Sequence, residues 1–69
     1  MSKFERIIYW SEDDACFIVE VPELPGCMAD GKTPSEALEN VEVIIEEWIE
    51  TARMENREIP VPKGKLIYA

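Results

Sequence analysis

Histidine is absent from this 69-residue chain. With it goes the side chain most used as a general base near neutral pH and as a metal ligand. No G-x-S-x-G, P-loop or dinucleotide fingerprint occurs either. Cysteine is scarce: Cys16 and Cys27 stand alone and form no C-x-x-C pair, so a zinc site would need carboxylates to complete it. No apolar run approaches the length of a membrane span. Lys3 leads into partly polar, strand-like sequence rather than into the apolar core of a secretory signal. These absences point to a cytoplasmic protein that is not an enzyme, holds no metal or cofactor, and keeps both thiols reduced, buried and inert. Cations are few as well. Seven Lys and Arg face fifteen Asp and Glu, for a net charge of −8. That balance disfavours direct binding to nucleic acid or to an anionic membrane. A basic protein surface would be attracted, although acidity also simply keeps a small domain soluble.

What is present reads as a single domain over 1–69. Phe4 to Trp10 is rich in aromatic and β-branched residues and predicts a strand. Ser11-Glu12-Asp13-Asp14 predicts a turn, and Ala15 to Val21 a second strand. On the second strand Phe17, Val19 and Val21 share one face, and Cys16, Ile18 and Glu20 the other. On the first, Phe4, Ile8 and Trp10 oppose Ile7 and Tyr9. Pro22 ends the regular pairing. Pro25-Gly26 meets the demands of a type II turn, and Leu24 beside it is expected to plug one end of the core. Cys27 to Asp30 predicts a short third strand, with Asp30-Gly31 as another turn.

Thr33-Pro34-Ser35-Glu36 is a capping box with proline at the first helical position. The helix it opens should run to about Glu55. Ala37, Leu38, Val41, Ile44, Ile45, Trp48, Ile49 and Ala52 fall on its apolar arc, and Asn56 is suited to a left-handed cap. Beyond lie Ile59-Pro60-Val61-Pro62, a basic Lys63-Gly64-Lys65 spot, and Leu66-Ile67-Tyr68, which suits a last short strand at an edge or across a subunit boundary. The fold class is therefore α+β: a three-stranded antiparallel sheet, one long helix on one face, and a short C-terminal strand.

Two surfaces stand out. The solvent side of the helix carries Glu36, Glu39, Glu42, Glu46, Glu47 and Glu50, with Arg53 its sole cation. Glu42–Glu46 and Glu46–Glu50 are like-charge i,i+4 pairs, each costing about 0.2–0.5 kcal/mol. Carboxylates late in a helix also oppose its dipole. The fold gains nothing from that arrangement, which makes Glu42, Glu46 and Glu50 candidate contacts for a basic partner, with the acidic turn Glu12, Asp13 and Asp14 as a second candidate. The bland reading is a solvated acidic face. Val43 and Met54 interrupt it. The turn lacks the spacing of an EF-hand loop. The other surface is the sheet face that one helix leaves open. Ile7, Tyr9 and Ile18 lie there, and with Leu66 and Tyr68 they form a candidate oligomer interface.

The hairpin, then Pro22-Glu23-Leu24-Pro25-Gly26-Cys27, Asp30-Gly31-Lys32-Thr33, Glu36-Ala37-Leu38-Glu39-Asn40, Trp48 and Ile59-Pro60-Val61-Pro62 together resemble the HicB family of antitoxins over nearly the whole chain. The resemblance implies a β-β-β-α-β domain, a partial RNase H-like fold. It implies an antitoxin of a type II toxin–antitoxin pair that covers the catalytic and RNA-binding surface of HicA, a small basic toxin that degrades mRNA. It also implies homodimers or tetramers. Many HicB proteins carry a C-terminal DNA-binding domain. Nothing here reads as a basic recognition helix, so DNA binding is not carried over. Asn56 stands where the family often has glycine. The alternative is an orphan homo-oligomeric binding module with another protein or a small-molecule ligand. Residual nuclease activity is a remote third, because the carboxylates sit on a turn and an outer helix face instead of converging on metals.

Overall fold

The computed structural model describes residues 4–61. Strands β1 (Ile7–Ser11) and β2 (Cys16–Glu20) form an antiparallel hairpin, and β3 (Met28–Gly31) pairs antiparallel with β2, giving the order β1-β2-β3. One helix, α1 (Pro34–Met54), completes the α+β domain. The expected C-terminal strand at Leu66-Ile67-Tyr68 lies outside the described residues.

The strands begin later than their apolar runs. Phe4 is buried, but the chain there leaves the ladder: the Glu5 N–H donates to Glu23 Oε1 at 3.0 Å, which ties the approach to β1 to the β2–β3 loop. At the far end Ser11 belongs to β1, opposite Cys16, so the turn starts at Glu12. Ala15 closes that turn at φ 51°, a left-handed conformation nothing in its identity announces.

The β2–β3 loop is closed by backbone bonds, Val21 N to Cys27 O at 3.0 Å and Cys27 N to Leu24 O at 2.9 Å. Gly26 has φ 79°, as the type II turn requires, and Leu24 is wholly buried beneath it. Gly31 differs from expectation. It is not a turn residue but the last residue of β3, opposite Phe17. A Cβ there would come within 2.9 Å of Ala37 Cα, so glycine is needed for the close approach of β3 to the first turn of α1.

Thr33 caps α1 as its sequence predicts, its Oγ1 accepting from the Glu36 N–H at 3.1 Å. The other end closes on Asn56 at φ 55°, with Arg57 N bonded to Ala52 O at 2.8 Å and Asn56 N to Arg53 O at 3.1 Å. That pair of bonds is a Schellman motif with asparagine in place of glycine. Trp48 anchors the C-terminal half: its Nε1 donates to Pro25 O at 3.0 Å, and the Arg57 guanidinium lies 5.6 Å from its ring centre.

The core lies between the helix and the sheet. Val19, Val21, Leu24, Cys27, Ala37, Val41 and Ile45 are buried together with Phe4, and Leu38, Ile44, Trp48 and Ile49 pack around them. The apolar arc of α1 is thus the buried one. Its cover of the sheet is narrower than expected. α1 packs on β3 and β2, while Ile8 and Trp10, on the helix side of β1, stay 38% and 49% exposed. A helix about 10 Å across spans two strands spaced about 4.8 Å apart and no more. The contact at Gly31 draws it toward β3.

Candidate protein-binding surfaces

The outer face of α1 presents Glu39, Glu46, Glu47 and Glu50, all exposed, with Val43 at 55% exposure among them and Met54 at 77% at the end of the helix. Glu42 departs from the sequence expectation. It turns toward β1 and accepts from Arg6 Nη2 at 2.6 Å, with its side chain 39% exposed and that of Arg6 only 16%. Arg6 also donates to the carbonyl of Phe4. This carboxylate ties the helix to the approach to β1, so Glu46 and Glu50, not Glu42, are the members of the set free to meet a partner.

Glu12, Asp13 and Asp14 are exposed in the hairpin turn. Asp14 is held locally: its N–H donates to Ser11 Oγ at 3.3 Å, and the Ser11 hydroxyl donates to Asp14 Oδ2 at 3.1 Å. Asp14 lines a shallow hollow on the open sheet face with Cys16, Ile18, Met28 and Asp30. The turn therefore borders the open sheet face, and the helix glutamates lie on the opposite side of the molecule. The two acidic candidates do not merge. A shallow groove lined by Met28, Asp30, Asn40, Val43 and Glu47 runs round the β3 edge between the two sides.

The open face carries Ile7, Tyr9 and Ile18 as predicted, and adds Met28, which faces Glu20 across β2–β3. Ile7 and Tyr9 are each 41% exposed. The Glu20 carboxylate near Tyr9 first, then burial, raises the phenol above its usual range. Leu66 and Tyr68 lie outside the described residues. Alternation along Cys27 to Asp30 places Met28 opposite the buried Cys27 and half-buried Ala29. The exposure of Ile8 and Trp10 is not legible in the sequence, since pattern alone assigns a face, not the breadth of what covers it.

Both cysteines are free and buried. Burial raises the Cys27 thiol, against a smaller opposing pull from Arg6. Burial, followed by Asp30 and Asp14, raises that of Cys16, whose Sγ lies 3.8 Å from Asp30 Oδ2. Raised thiols are poor nucleophiles at neutral pH. Among the described residues no group of His, Cys, Asp and Glu is arranged to hold a metal ion, and no helix is long and apolar enough to cross a membrane.

These surfaces describe a small α+β domain with an acidic helix face on one side and a partly bare sheet on the other. The chain belongs to the UPF0150-like family, whose model matches residues 5–60. It is similar to a UPF0150 protein of Thermoplasma acidophilum, 41% identical over 54 residues and 78% of each chain. It is similar also to one of Synechocystis, 41% identical over 44 residues, which are 64% of this chain and 60% of that one. A third, from Archaeoglobus fulgidus, is 34% identical over 47 residues and 68% of each chain. No solved structure gives a significant match. The kinship establishes the family and leaves the activity to be argued from the surfaces.

Proposed function

We propose that this protein is a HicB-like antitoxin that binds and sterically neutralises a small basic toxin of the HicA type, and that it does so as a homodimer or tetramer. The observation that carries this reading is the outer face of α1. Glu39, Glu46, Glu47 and Glu50 stand exposed around Val43, and an apolar contact inside a charged rim is the usual anatomy of a protein contact. The net charge of −8 adds long-range attraction to a cationic partner. The resemblance to HicB antitoxins supplies the identity of that partner, and mRNA degradation is the activity to be blocked.

The test is co-expression with the reading frame beside the gene, scored by growth and by co-purification. Rescue of a toxic neighbour in a stable complex is the expected result. A harmless neighbour and no complex would sink it. The open sheet face favours a second reading, an orphan self-associating module, because Ile7, Tyr9, Ile18 and Met28 form an apolar patch that does not depend on a toxin.

A further inference from the structure

Three shallow hollows run into one another round the β3 side of the domain. The first, on the open sheet face, joins Asp14, Cys16, Ile18, Met28 and Asp30. Met28 and Asp30 also line the second, where they meet Asn40, Val43 and Glu47. Val43 and Glu47 in turn line the third, with Glu46, Glu50 and Thr51 on the outer face of α1. The shared residues make one continuous trough. The acidic turn and the acidic helix face lie on opposite sides of the molecule, and the trough has one end at each. Among the described residues its lining includes no Lys or Arg. Neither ion pair of the described residues, Arg6–Glu42 or Arg57–Glu55, falls in it. Its middle is apolar and bare, with Met28 47% and Val43 55% exposed. Asn40 Nδ2 donates to the Asp30 carbonyl at 2.7 Å, which ties α1 to β3 at that point and holds the two walls together.

We infer that this trough seats one extended, lysine- or arginine-rich segment of the basic partner, so that a single segment touches both acidic surfaces at once. The inference rests on the basic-partner reading above and adds where, and in what form, that partner docks. Charge complementarity selects the occupant. Asp14, Asp30, Glu46, Glu47 and Glu50 line the route with no cation among them, an arrangement that attracts a cationic chain. It repels nucleic acid and a second copy of this chain, which itself carries −8. The apolar middle selects the form. Lys and Arg lay their methylene stems along apolar surface while the charged head reaches out. Stems resting on Met28 and Val43 bring the heads beside Asp30 and Glu47, which line the same hollow. In an extended chain alternate side chains share a face, so a cation at every second residue faces the trough. The shortest dimension of the domain is 22 Å, which about seven to ten extended residues span at about 3.3 Å each. A rigid surface resting on one face of the domain reaches only one end of the trough.

The experiment titrates the full chain, isotope-labelled for NMR, with a synthetic nine-residue peptide alternating Lys and Val, and with its Glu-Val counterpart as control. Expected are saturable binding of the Lys peptide alone and amide shifts running without a gap from Asp14 through Met28 and Val43 to Glu50. Met28→Lys, outside both acidic surfaces, should weaken binding at least tenfold with helix content retained. Glu58→Gln makes the same change of one charge outside the trough and should leave affinity within twofold. Binding that ignores Met28→Lys, with shifts confined to the turn or to the helix glutamates, overturns the inference. So does a failure of the Lys peptide to bind. If Lys63→Ala with Lys65→Ala moves the trough resonances when no peptide is present, the chain's own cations occupy the trough, and the inference is overturned again. Failure of the partner reading looks different. A peptide that binds along the trough beside a harmless neighbour in co-expression sinks the antitoxin and leaves the trough standing. A rescued neighbour whose complex is indifferent to Met28→Lys does the opposite.

Discussion

At the scale of single residues the least comfortable position is Ala15, left-handed at φ 51°. An L-residue with a Cβ gives up about 1–2 kcal/mol there, and glycine loses part of the gain through its freer unfolded chain. Ala15→Gly is expected to stabilise the domain by up to about 1 kcal/mol, read as a higher urea midpoint at constant slope. Gly31 is the reverse case. Gly31→Ala forces a methyl against the backbone of Ala37 and should destabilise by at least about 1–3 kcal/mol, the usual penalty for overpacking, in the same measurement.

The buried thiols set the alkaline limit. Cys27 and Cys16 are both raised, chiefly by burial. In the unfolded chain a thiol releases its proton near pH 8.5, and in the folded chain it does so higher. Above that pH the unfolded state therefore binds fewer protons, and stability falls as pH rises. The contribution is complete below about pH 8.5 and is lost as pH climbs through the folded values. Denaturant midpoints at pH 7.5 and 9.5 should show the decline, and replacing Cys27 by the non-titrating Ala or Val should flatten it.

Elements meet through a few specific ties. Arg6 and Glu42 link the approach to β1 with the middle of α1 across 2.6 Å. With Glu42 partly in water, the pair is expected to couple by about 0.5–1 kcal/mol in a double-mutant cycle of Arg6→Met and Glu42→Gln, a little above an ordinary surface pair because Arg6 is sheltered. Glu42 was a reasonable binding candidate from sequence, since at 100° per residue it falls beside Glu46. Its partner is 36 positions away, and helical periodicity carries no information about a contact at that separation. The caps were legible for the opposite reason. Thr33 and Asn56 act on backbone groups within a few residues, so local chemistry decided them.

At the scale of the whole molecule the acidic helix face is expected to govern partner binding. Glu46→Lys combined with Glu50→Lys should weaken a complex with a basic protein by tenfold or more and flatten its salt dependence, with circular dichroism unchanged because both side chains are exposed. Reversal at Glu12 and Asp13 addresses the separate turn surface. If that pair weakens the complex while the helix pair does not, docking occurs on the open-sheet side.

Sequence by itself determined the element order, the faces of β1 and β2, both helix ends, the Pro25-Gly26 turn and the burial of Leu24 and both cysteines. Each rests on period, capping or turn chemistry acting over a few residues. Tertiary structure decided what depends on the breadth and placement of packed elements. One helix covers β2 and β3 and leaves β1 bare. Gly31 serves a close approach and not a bend, and Glu42 is spent on Arg6. The two acidic candidates end on opposite sides of the domain. Those outcomes follow from a helix being two strands wide and from where the Gly31–Ala37 contact seats it, a geometry that exists only once the chain has folded.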